Sequence, residues 1–230
     1  VEARFVGHPL ADEILSDESS PLNKTKSRVK LDLKEDATVV ALLPGSRRSE
    51  ISHMLTPFLS AASIVRESYP DAQFVIPCVN EVLRVQVLEQ IAKEDLLDVK
   101  TYIGDAKTAL MACDVALTKA GTVTLEALLV KRPMVVAYKI GRLTYQFLRF
   151  LVKSDHFALP NIIAGKRLTP EFIQNEASPE NLASSVCSEL KRFNTDPSYL
   201  KSYEVISNLL RRNANYRAAE AFYSLVEKRK

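Results

Sequence analysis

The stretch Val39-Val40-Ala41-Leu42-Leu43-Pro44-Gly45-Ser46-Arg47 decides the fold. Its first five residues are all apolar, which is typical of a strand covered by helices on both faces of a sheet. The turn that follows contains a glycine and an arginine, and a helical pattern begins at Ile51. The stretch therefore predicts a parallel strand whose carboxyl end carries a polar loop.

The same alternation of apolar runs and helical patterns extends along the chain. Strands are predicted at 38–43, 72–78, 98–102, 114–117 and 134–138, and helices at 51–68, 81–93, 106–112, 122–130 and 142–152. After residue 154 we find no convincing strand pattern, and helices are predicted at 179–193, 197–210 and 213–227. The fold class predicted is α/β, a Rossmann-like doubly wound parallel sheet followed by C-terminal helices.

The N-terminal residues are predicted to lie outside this sheet. Residues 1–6 have a strand pattern that runs straight into Gly7-His8-Pro9, and an opening inside a strand favours a fragment of a longer protein. Residues 16–36 are rich in Ser, Asp, Lys and Pro, which predicts a linker or surface excursion.

Composition excludes several classes of protein. The 230 residues are 47% hydrophobic, which fits a globular chain with a sizeable core and argues against disorder. Thirty-one Lys and Arg against 28 Asp and Glu leave a net charge of +3 that is spread along the chain, so nucleic-acid binding has little electrostatic support. No apolar run approaches the ~18 residues of a membrane span. Three widely separated cysteines favour a reducing compartment, and we expect a cytoplasmic protein.

Gly45, Ser46 and Arg47 have the chemistry of a phosphate-binding turn. A glycine lets backbone amides approach a ligand, the following helix adds amide donors, and an arginine offers a bidentate fork. The alternative is an ordinary capped turn, with Ser46 or Ser49 as the N-cap and Glu50 in the first helical turn.

A second turn of the same kind contains Gly121, Thr122 and Glu126. Gly121 and Thr122 would place amides and a hydroxyl at a helix start, and the Glu126 carboxylate can accept hydrogen bonds from the hydroxyls of a ribose. The alternative is that Thr122 caps the helix and Glu126 only complements its dipole. Two such turns in one sheet make the ordinary explanation less attractive for both.

Three further polar positions are candidates for ligand contact. Asn161 directly follows Pro160 and lies four residues before Gly165, so a rigid turn would hold a side chain that both donates and accepts hydrogen bonds. The alternative is a plain turn asparagine. His8 and His156 are weaker candidates, because a single histidine is more often structural or exposed. His53 has no second ligand nearby, so no metal site is predicted.

The segment 139–153 combines Lys and Arg with large apolar and aromatic residues. It could meet acyl chains and anionic headgroups at a membrane surface. The alternative is a helix that covers the sheet, with the stems of its basic side chains lying along apolar surface.

Taken together, five stretches resemble the lipid-A-disaccharide synthase family, in family order and over almost the whole chain: Gly7-His8-Pro9-Leu10-Ala11-Asp12, Leu43-Pro44-Gly45-Ser46-Arg47, Gly121-Thr122-Val123-Thr124-Leu125-Glu126, Pro133-Met134-Val135-Val136-Ala137-Tyr138 and Leu159-Pro160-Asn161-Ile162-Ile163-Ala164-Gly165. The resemblance implies an inverting GT-B glycosyltransferase of lipopolysaccharide biosynthesis. It implies transfer of 2,3-diacylglucosamine from a UDP-activated donor to lipid X (2,3-diacylglucosamine 1-phosphate), giving a β(1→6) disaccharide and UDP.

The resemblance also implies the site residues. Arg47 with its neighbours corresponds to the family's PGSR sequence, Glu126 to the acidic residue of its GT…E sequence, and Asn161 to its LPN sequence. The predicted residues of the UDP-sugar donor site are Gly45, Ser46, Arg47, Gly121, Thr122, Glu126, Asn161 and Tyr138. No cofactor and no metal ion are implied. The general base is expected in an N-terminal domain, and Asp12 lies too close to the linker-like stretch to be assigned that role.

The implied domain organisation has three parts. Residues 1–36 would be the end of the N-terminal domain and a linker, residues 37–210 the nucleotide-sugar-binding Rossmann-like domain, and residues 211–230 a C-terminal helix that packs back towards the N-terminal domain. We expect a cytoplasmic protein, peripheral at the inner membrane, with the UDP-sugar and lipid X as substrates and with oligomerisation left open. Two alternatives are a non-catalytic nucleotide-sugar-binding module and a sugar-nucleotide epimerase of GT-B architecture.

Overall fold

Six parallel strands form one sheet in the order β3-β2-β1-β4-β5-β6. The computed structural model describes residues 3–14, 21–94, 99–141, 145, 156–196, 198 and 200–227. The strands are β1 (Val39–Leu43), β2 (Gln73–Cys78), β3 (Val99–Ile103), β4 (Val115–Lys119), β5 (Met134–Tyr138) and β6 (Glu171–Ile173). The helices are α1 (Pro9–Glu13), α2 (Pro21–Lys30), α3 (Arg48–Ser68), α4 (Glu81–Lys93), α5 (Ala106–Ala112), α6 (Val123–Leu129), α7 (Leu159–Ala164), α8 (Pro179–Thr195), α9 (Lys201–Leu210) and α10 (Ala214–Glu227).

The first predicted strand lies at the centre of the sheet. All five residues of β1 are buried, and the strand pairs with β2 on one side and β4 on the other. Val40 and Leu42 enter a core with α3, α4 and α8, whereas Val39, Ala41 and Leu43 enter a second core with α1, α5, α6 and α9. The predicted doubly wound α/β fold is confirmed, because both faces of the sheet are covered. The chain order reverses between β1 and β4, which is where ligands bind in such sheets.

The region predicted as a linker over 16–36 contains the helix α2. The sequence of α2 is polar, and two of its basic side chains, Lys24 and Arg28, bind the Asp114 carboxylate. Arg28 is 4% exposed; its guanidinium donates to the carbonyl oxygens of Ala112 and Ala37, each at 3.0 Å, and to the Asp114 carboxylate at 2.9 Å. These bonds fasten α2 to the residues that precede β1 and β4.

Two predictions of secondary structure from the sequence were wrong. Residues 3–6 are not part of a strand, and β6 follows residue 154, where no strand was expected. β6 has only three residues and pairs its Glu171 with Val136 of β5. Such a short edge strand gives too little alternation to recognise. The predicted helix at 142–152 lies almost wholly outside the described residues.

Residues 3–14, which we call the N-terminal segment, are fastened to the junction of α9 and α10. The backbone N–H of His8 donates to the carbonyl oxygen of Leu210 at 3.0 Å. The Asp12 carboxylate accepts from the backbone N–H groups of Asn213 at 3.0 Å and Ala214 at 2.6 Å, at the start of α10. The bond from Ala214 is the main reason why the pKa of Asp12 lies below its ordinary value. Asp12 is therefore a structural residue here.

Glu189 is a buried carboxyl on α8. Its side chain is 3% exposed, and its Oε2 finds no hydrogen-bond partner within the described part of the chain. Burial raises the pKa of Glu189 to about 7, although the charge of Arg192 acts in the opposite direction. Folding therefore places an acid where its charged form is poorly solvated.

Candidate functional site

A cleft of about 400 Å³ lies at the carboxyl ends of β1 to β4. It brings together the two turns that the sequence singled out, the one after β1 and the one after β4. Its lining consists of Leu43, Gly45, Ser46, Arg47, Glu50, Pro77, Val79, Gly104, Ala106, Lys119, Ala120, Gly121, Thr122, Val123 and Glu126. Six of the eight predicted donor-site residues line this cleft; Asn161 and Tyr138 do not.

The loop after β1 depends on Gly45. Its φ is +128°, a conformation that side-chain-bearing residues rarely adopt. A Cβ on Gly45 would lie 2.5 Å from both the Cβ and the Oε2 of Glu50. The glycine is therefore needed so that the backbone can turn over the Glu50 side chain.

Glu50 organises the loop after β1. From the sequence, Glu50 belonged only to the alternative interpretation, an ordinary capped turn. Its Oε2 accepts from the backbone N–H of Ser46 at 2.9 Å and of Arg47 at 3.3 Å, and its Oε1 accepts from Lys119 Nζ at 3.0 Å. Burial raises the pKa of Glu50, but the bond from Lys119 and the loop amides outweigh burial, so the pKa lies below its ordinary value. The two loop amides expected to face a phosphate are thus engaged by a carboxylate.

Arg47 is the freest group of this loop. It occupies the N-cap position of α3, and its side chain is 81% exposed. Its Nη1 lies 3.9 Å from Glu50 Oε1, a long and solvent-exposed contact that restrains the Arg47 side chain little. The expected bidentate cation is therefore available at the mouth of the cleft.

Lys119 is a site residue that the sequence analysis missed. It is the last residue of β4, and its Nζ contacts Glu50 and lies 5.3 Å from the centroid of the Tyr138 ring. The signal was present, since a lysine directly follows the buried residues of β4 at the strand end where ligands bind. Tyr138, at the end of β5, therefore reaches the site through Lys119.

The turn after β4 presents Gly121, Thr122 and Glu126 to the cleft. Thr122 stands at the N-cap position of α6, but its side chain makes no capping hydrogen bond, contrary to the capping alternative. Nothing lies within 4 Å of where a Gly121 Cβ would be, so the backbone is open there. Glu126 is half-buried and accepts no hydrogen bond from the described residues; burial, followed by the charge of Asp105, raises its pKa.

Asn161 is fully buried and holds its own loop together. Its Oδ1 accepts from the backbone N–H groups of Leu168 at 2.7 Å and Thr169 at 2.9 Å, and its Nδ2 donates to the Thr169 carbonyl at 2.9 Å. The Asn161 amide is thus engaged by backbone, and a contact between Asn161 and the UDP-sugar stays a prediction. The sequence could not reveal these hydrogen bonds, since the partners lie seven and eight residues later.

The histidines all have structural partners. His8 Nδ1 accepts from Leu10 N at 3.2 Å and caps α1, and His53 Nδ1 lies 2.6 Å from the Ser49 carbonyl. His156 Nδ1 lies 2.6 Å from Glu171 Oε1. Among the described residues no group of three or more His, Cys, Asp or Glu side chains is arranged to hold a metal ion.

The candidate lipid-contacting segment 139–153 lies largely outside the described residues, so its two interpretations stay open. None of the helices in the described ranges combines the length and the apolar character needed to cross a membrane.

The chain matches the family model described as lipid-A-disaccharide synthetase over residues 1–223. It is 41% identical over 231 residues to the lipid-A-disaccharide synthase of Pseudomonas aeruginosa (strain UCBPP-PA14), covering 100% of this chain and 59% of that protein. It is 40% identical over 233 residues to the synthase of Xanthomonas oryzae pv. oryzae (strain MAFF 311018), covering 100% and 53%. The chain thus spans little more than half the length of these curated relatives.

Solved structures confirm the architecture. A glycosyltransferase from Rickettsia africae ESF-5 superposes with a TM-score of 0.65 at 14% identity, over 94% of this chain and 56% of that one. The UDP-GlcNAc 2-epimerase from Neisseria meningitidis, solved with UDP-GlcNAc, gives 0.59 at 15% identity, over 95% and 54%. At these identities the likeness concerns the fold, which is that of one half of a GT-B glycosyltransferase.

Proposed function

Because this chain belongs to the lipid-A-disaccharide synthetase family, we propose that it supplies the donor-binding half of a lipid-A-disaccharide synthase. The reaction proposed for the whole protein transfers 2,3-diacylglucosamine from its UDP-activated form to lipid X. A β(1→6) disaccharide forms, and UDP leaves. With this activity the whole protein would be an inverting hexosyltransferase.

The observation that carries this proposal is the meeting of two turns in one cleft. The loop after β1 brings Arg47, and the turn after β4 brings Glu126, so a cation and a carboxyl from different parts of the chain line the same cavity. The volume of about 400 Å³ lies in the ~300–1,000 Å³ range of small-molecule sites. A nucleoside diphosphate needs both groups, a cation for its phosphates and an acceptor for its ribose.

Arg47 is assigned to the diphosphate. A guanidinium binds two phosphate oxygens at once, and this geometry fixes the orientation of the group. Negative charge builds up on the diphosphate as the sugar is transferred, so the same contact would stabilise departing UDP. The high exposure of Arg47 means that its charge is not consumed by a protein partner.

Glu126 is assigned to the ribose. Its carboxyl points into the cleft region from the first turn of α6 and is left without a hydrogen-bond donor among the described residues. Ribose hydroxyls are such donors. Gly121 and Thr122, which are exposed beside it, give the ligand room and a hydroxyl partner.

Asn161 and Tyr138 are assigned indirect roles in donor binding, since neither lines the cleft. Asn161 would keep the loop at 161–169 in shape through its three backbone hydrogen bonds. Tyr138 would steady Lys119 with its ring.

The remaining parts of the reaction are assigned outside these residues. The general base that takes the proton from the acceptor hydroxyl is proposed to come from an N-terminal domain of a longer parent protein. The exposed apolar face of α10, with Phe222 at 64% and Tyr223 at 69% exposure, fits a helix that packs back onto that domain. We place the protein in the cytoplasm and at the inner membrane surface, where its lipid substrates are.

Isothermal titration of UDP into the chain tests the nucleotide site. Arg47→Ala and Glu126→Ala should each weaken UDP binding at least tenfold, which is about 1.4 kcal/mol. Arg48→Ala is the matched control, because Arg48 is the exposed neighbour of Arg47 and does not line the cleft. All variants are checked for folding by circular dichroism.

Two results would contradict the proposal. Absence of UDP binding by the folded wild-type chain would argue against a donor site complete in these residues. Equal losses in Arg47→Ala and Arg48→Ala would show that general positive charge, not this cleft, attracts UDP.

Product analysis with the full-length parent then separates transfer from epimerisation, since only transfer needs a lipid acceptor and yields a disaccharide.

A further inference from the structure

Lys119 places a second positive charge inside the cleft, deeper than Arg47. Its side chain is 19% exposed and lines the cavity, whereas that of Arg47 is 81% exposed. A lysine ammonium has three N–H donors. One of them goes to Glu50 Oε1 at 3.0 Å, and the Tyr138 ring lies on another side at 5.3 Å. Donor capacity therefore remains for a ligand in the cavity.

Glu50 holds this ammonium and the neighbouring loop with the same carboxylate. Oε2 accepts from the backbone N–H groups of Ser46 and Arg47, and Oε1 accepts from Lys119. The side chain is 17% exposed, so water screens the pair less than it would at the open surface. The long lysine stem has many rotamers, and the ion pair restricts them before any ligand arrives.

The charge of the expected ligand calls for more than one cation. A nucleoside diphosphate carries at least two negative charges, and the amides of Ser46 and Arg47 are already engaged by Glu50. Arg47 alone supplies a single charge at the rim. A cation held within the cavity supplies the second, at a depth where electrostatic attraction is stronger than in bulk water.

We propose that Lys119 is a phosphate-binding residue of this cleft and that Glu50 is the residue that positions it. The inference rests on the proposed nucleotide site and names the group that holds the diphosphate. The ammonium keeps its bond to Glu50 and gives a remaining N–H to a phosphate oxygen. Glu50 acts through Lys119, because both of its carboxylate oxygens already accept hydrogen bonds from the loop amides and the ammonium.

Binding of UDP and of uridine separates this role from a structural one. Lys119→Met keeps the length and packing of the side chain but removes the charge, and UDP binding should weaken about tenfold. Uridine binding should not change, because uridine has no phosphate. Lys119→Arg should recover most of the UDP affinity, and Lys93→Met, which removes an exposed lysine of α4, serves as the control.

The part played by Glu50 is tested with Glu50→Gln, alone and combined with Lys119→Met. The glutamine oxygen can still accept from the loop amides, but its NH2 group cannot hold an ammonium. We expect UDP binding to weaken several-fold in Glu50→Gln and to be no weaker in the double variant than in Lys119→Met alone. A residue that only capped the helix would add its effect in the double variant.

The outcomes distinguish this inference from the function on which it rests. Unchanged UDP binding in Lys119→Met, or equal losses for UDP and uridine, would overturn the role of Lys119 while leaving the nucleotide site in place. Tighter UDP binding in Glu50→Gln would overturn the positioning role, because it would show that the carboxylate competes with phosphate. No UDP binding by the folded wild type contradicts the nucleotide site; inorganic pyrophosphate is then the probe, and failure to bind it in a Lys119-dependent way overturns the inference too.

Discussion

The buried carboxyl of Glu189 makes the stability of this fold depend on pH. Its pKa is raised to about 7 by burial, against an ordinary value of 4.5. Because the folded chain holds this proton more tightly than the unfolded chain, the stabilisation is complete below about pH 4.5 and is lost as the pH rises through about 7. Each pKa unit corresponds to about 1.4 kcal/mol, so the whole effect is about 3 kcal/mol.

Glu189→Gln removes the titration and nearly preserves the shape of the side chain. The amide will itself be imperfectly hydrogen-bonded, which costs about 1–3 kcal/mol at every pH. The informative quantity is therefore the difference in unfolding free energy between wild type and variant, followed by urea denaturation from pH 5 to pH 8. We expect the wild type to lose about 2–3 kcal/mol relative to the variant over that range, most of it between pH 5 and 7.

A matched control is Glu220→Gln on α10, which makes the same exchange at an exposed position. Parallel curves for wild type and Glu189→Gln would refute the reasoning. They would mean that water or a rearranged Arg192 solvates the carboxylate in the folded chain.

Three substitutions test other parts of the fold by urea denaturation. Gly45→Ala should cost about 2 kcal/mol or more, because a positive φ is unfavourable and the new Cβ meets a carboxylate at 2.5 Å; Gly121→Ala, with no atom within 4 Å of the new Cβ, should cost less. Arg28→Met should cost about 2–4 kcal/mol, because it leaves buried carbonyl oxygens without their donor, while Lys24 and the Val39 N–H still bind the Asp114 carboxylate; equal stability to exposed Lys26→Met would contradict this. Asn161→Ala removes three hydrogen bonds to backbone and should cost about 2–3 kcal/mol; a cost below about 0.5 kcal/mol would show that the loop does not need them.

The sheet was predictable because its strands are apolar on both faces and its helices have regular patterns. The bounds predicted for α4, α5 and β5 are those of the structure, 81–93, 106–112 and 134–138. α2 was not predictable, since the Asp114 carboxylate that its Lys24 and Arg28 side chains bind lies 90 and 86 residues away from them. Local pattern carries no information about such distant partners.

The candidate site was predictable to the level of its turns. Glycine, arginine and a carboxyl at the ends of β1 and β4 indicated the cleft, and the structure brings them together. The role of Glu50 was not predictable, because a glutamate in the first turn of a helix looks like a cap whether or not it holds a lysine 69 residues away. Asn161 shows the opposite case. From the sequence, its side chain seemed available for a ligand, but its Oδ1 accepts hydrogen bonds from the backbone of its own loop.

The N-terminal segment has a consequence for the order in which the chain acquires its structure. Arg211 donates to the Ala11 carbonyl across 200 residues of sequence, and Ala214 donates to Asp12 across 202. During synthesis, residues 3–14 emerge long before the helices that hold them. Residues 3–14 can make these contacts only after nearly the whole sheet has been synthesised. The contacts of the N-terminal segment with Arg211 and Ala214 are therefore among the last of the fold to form.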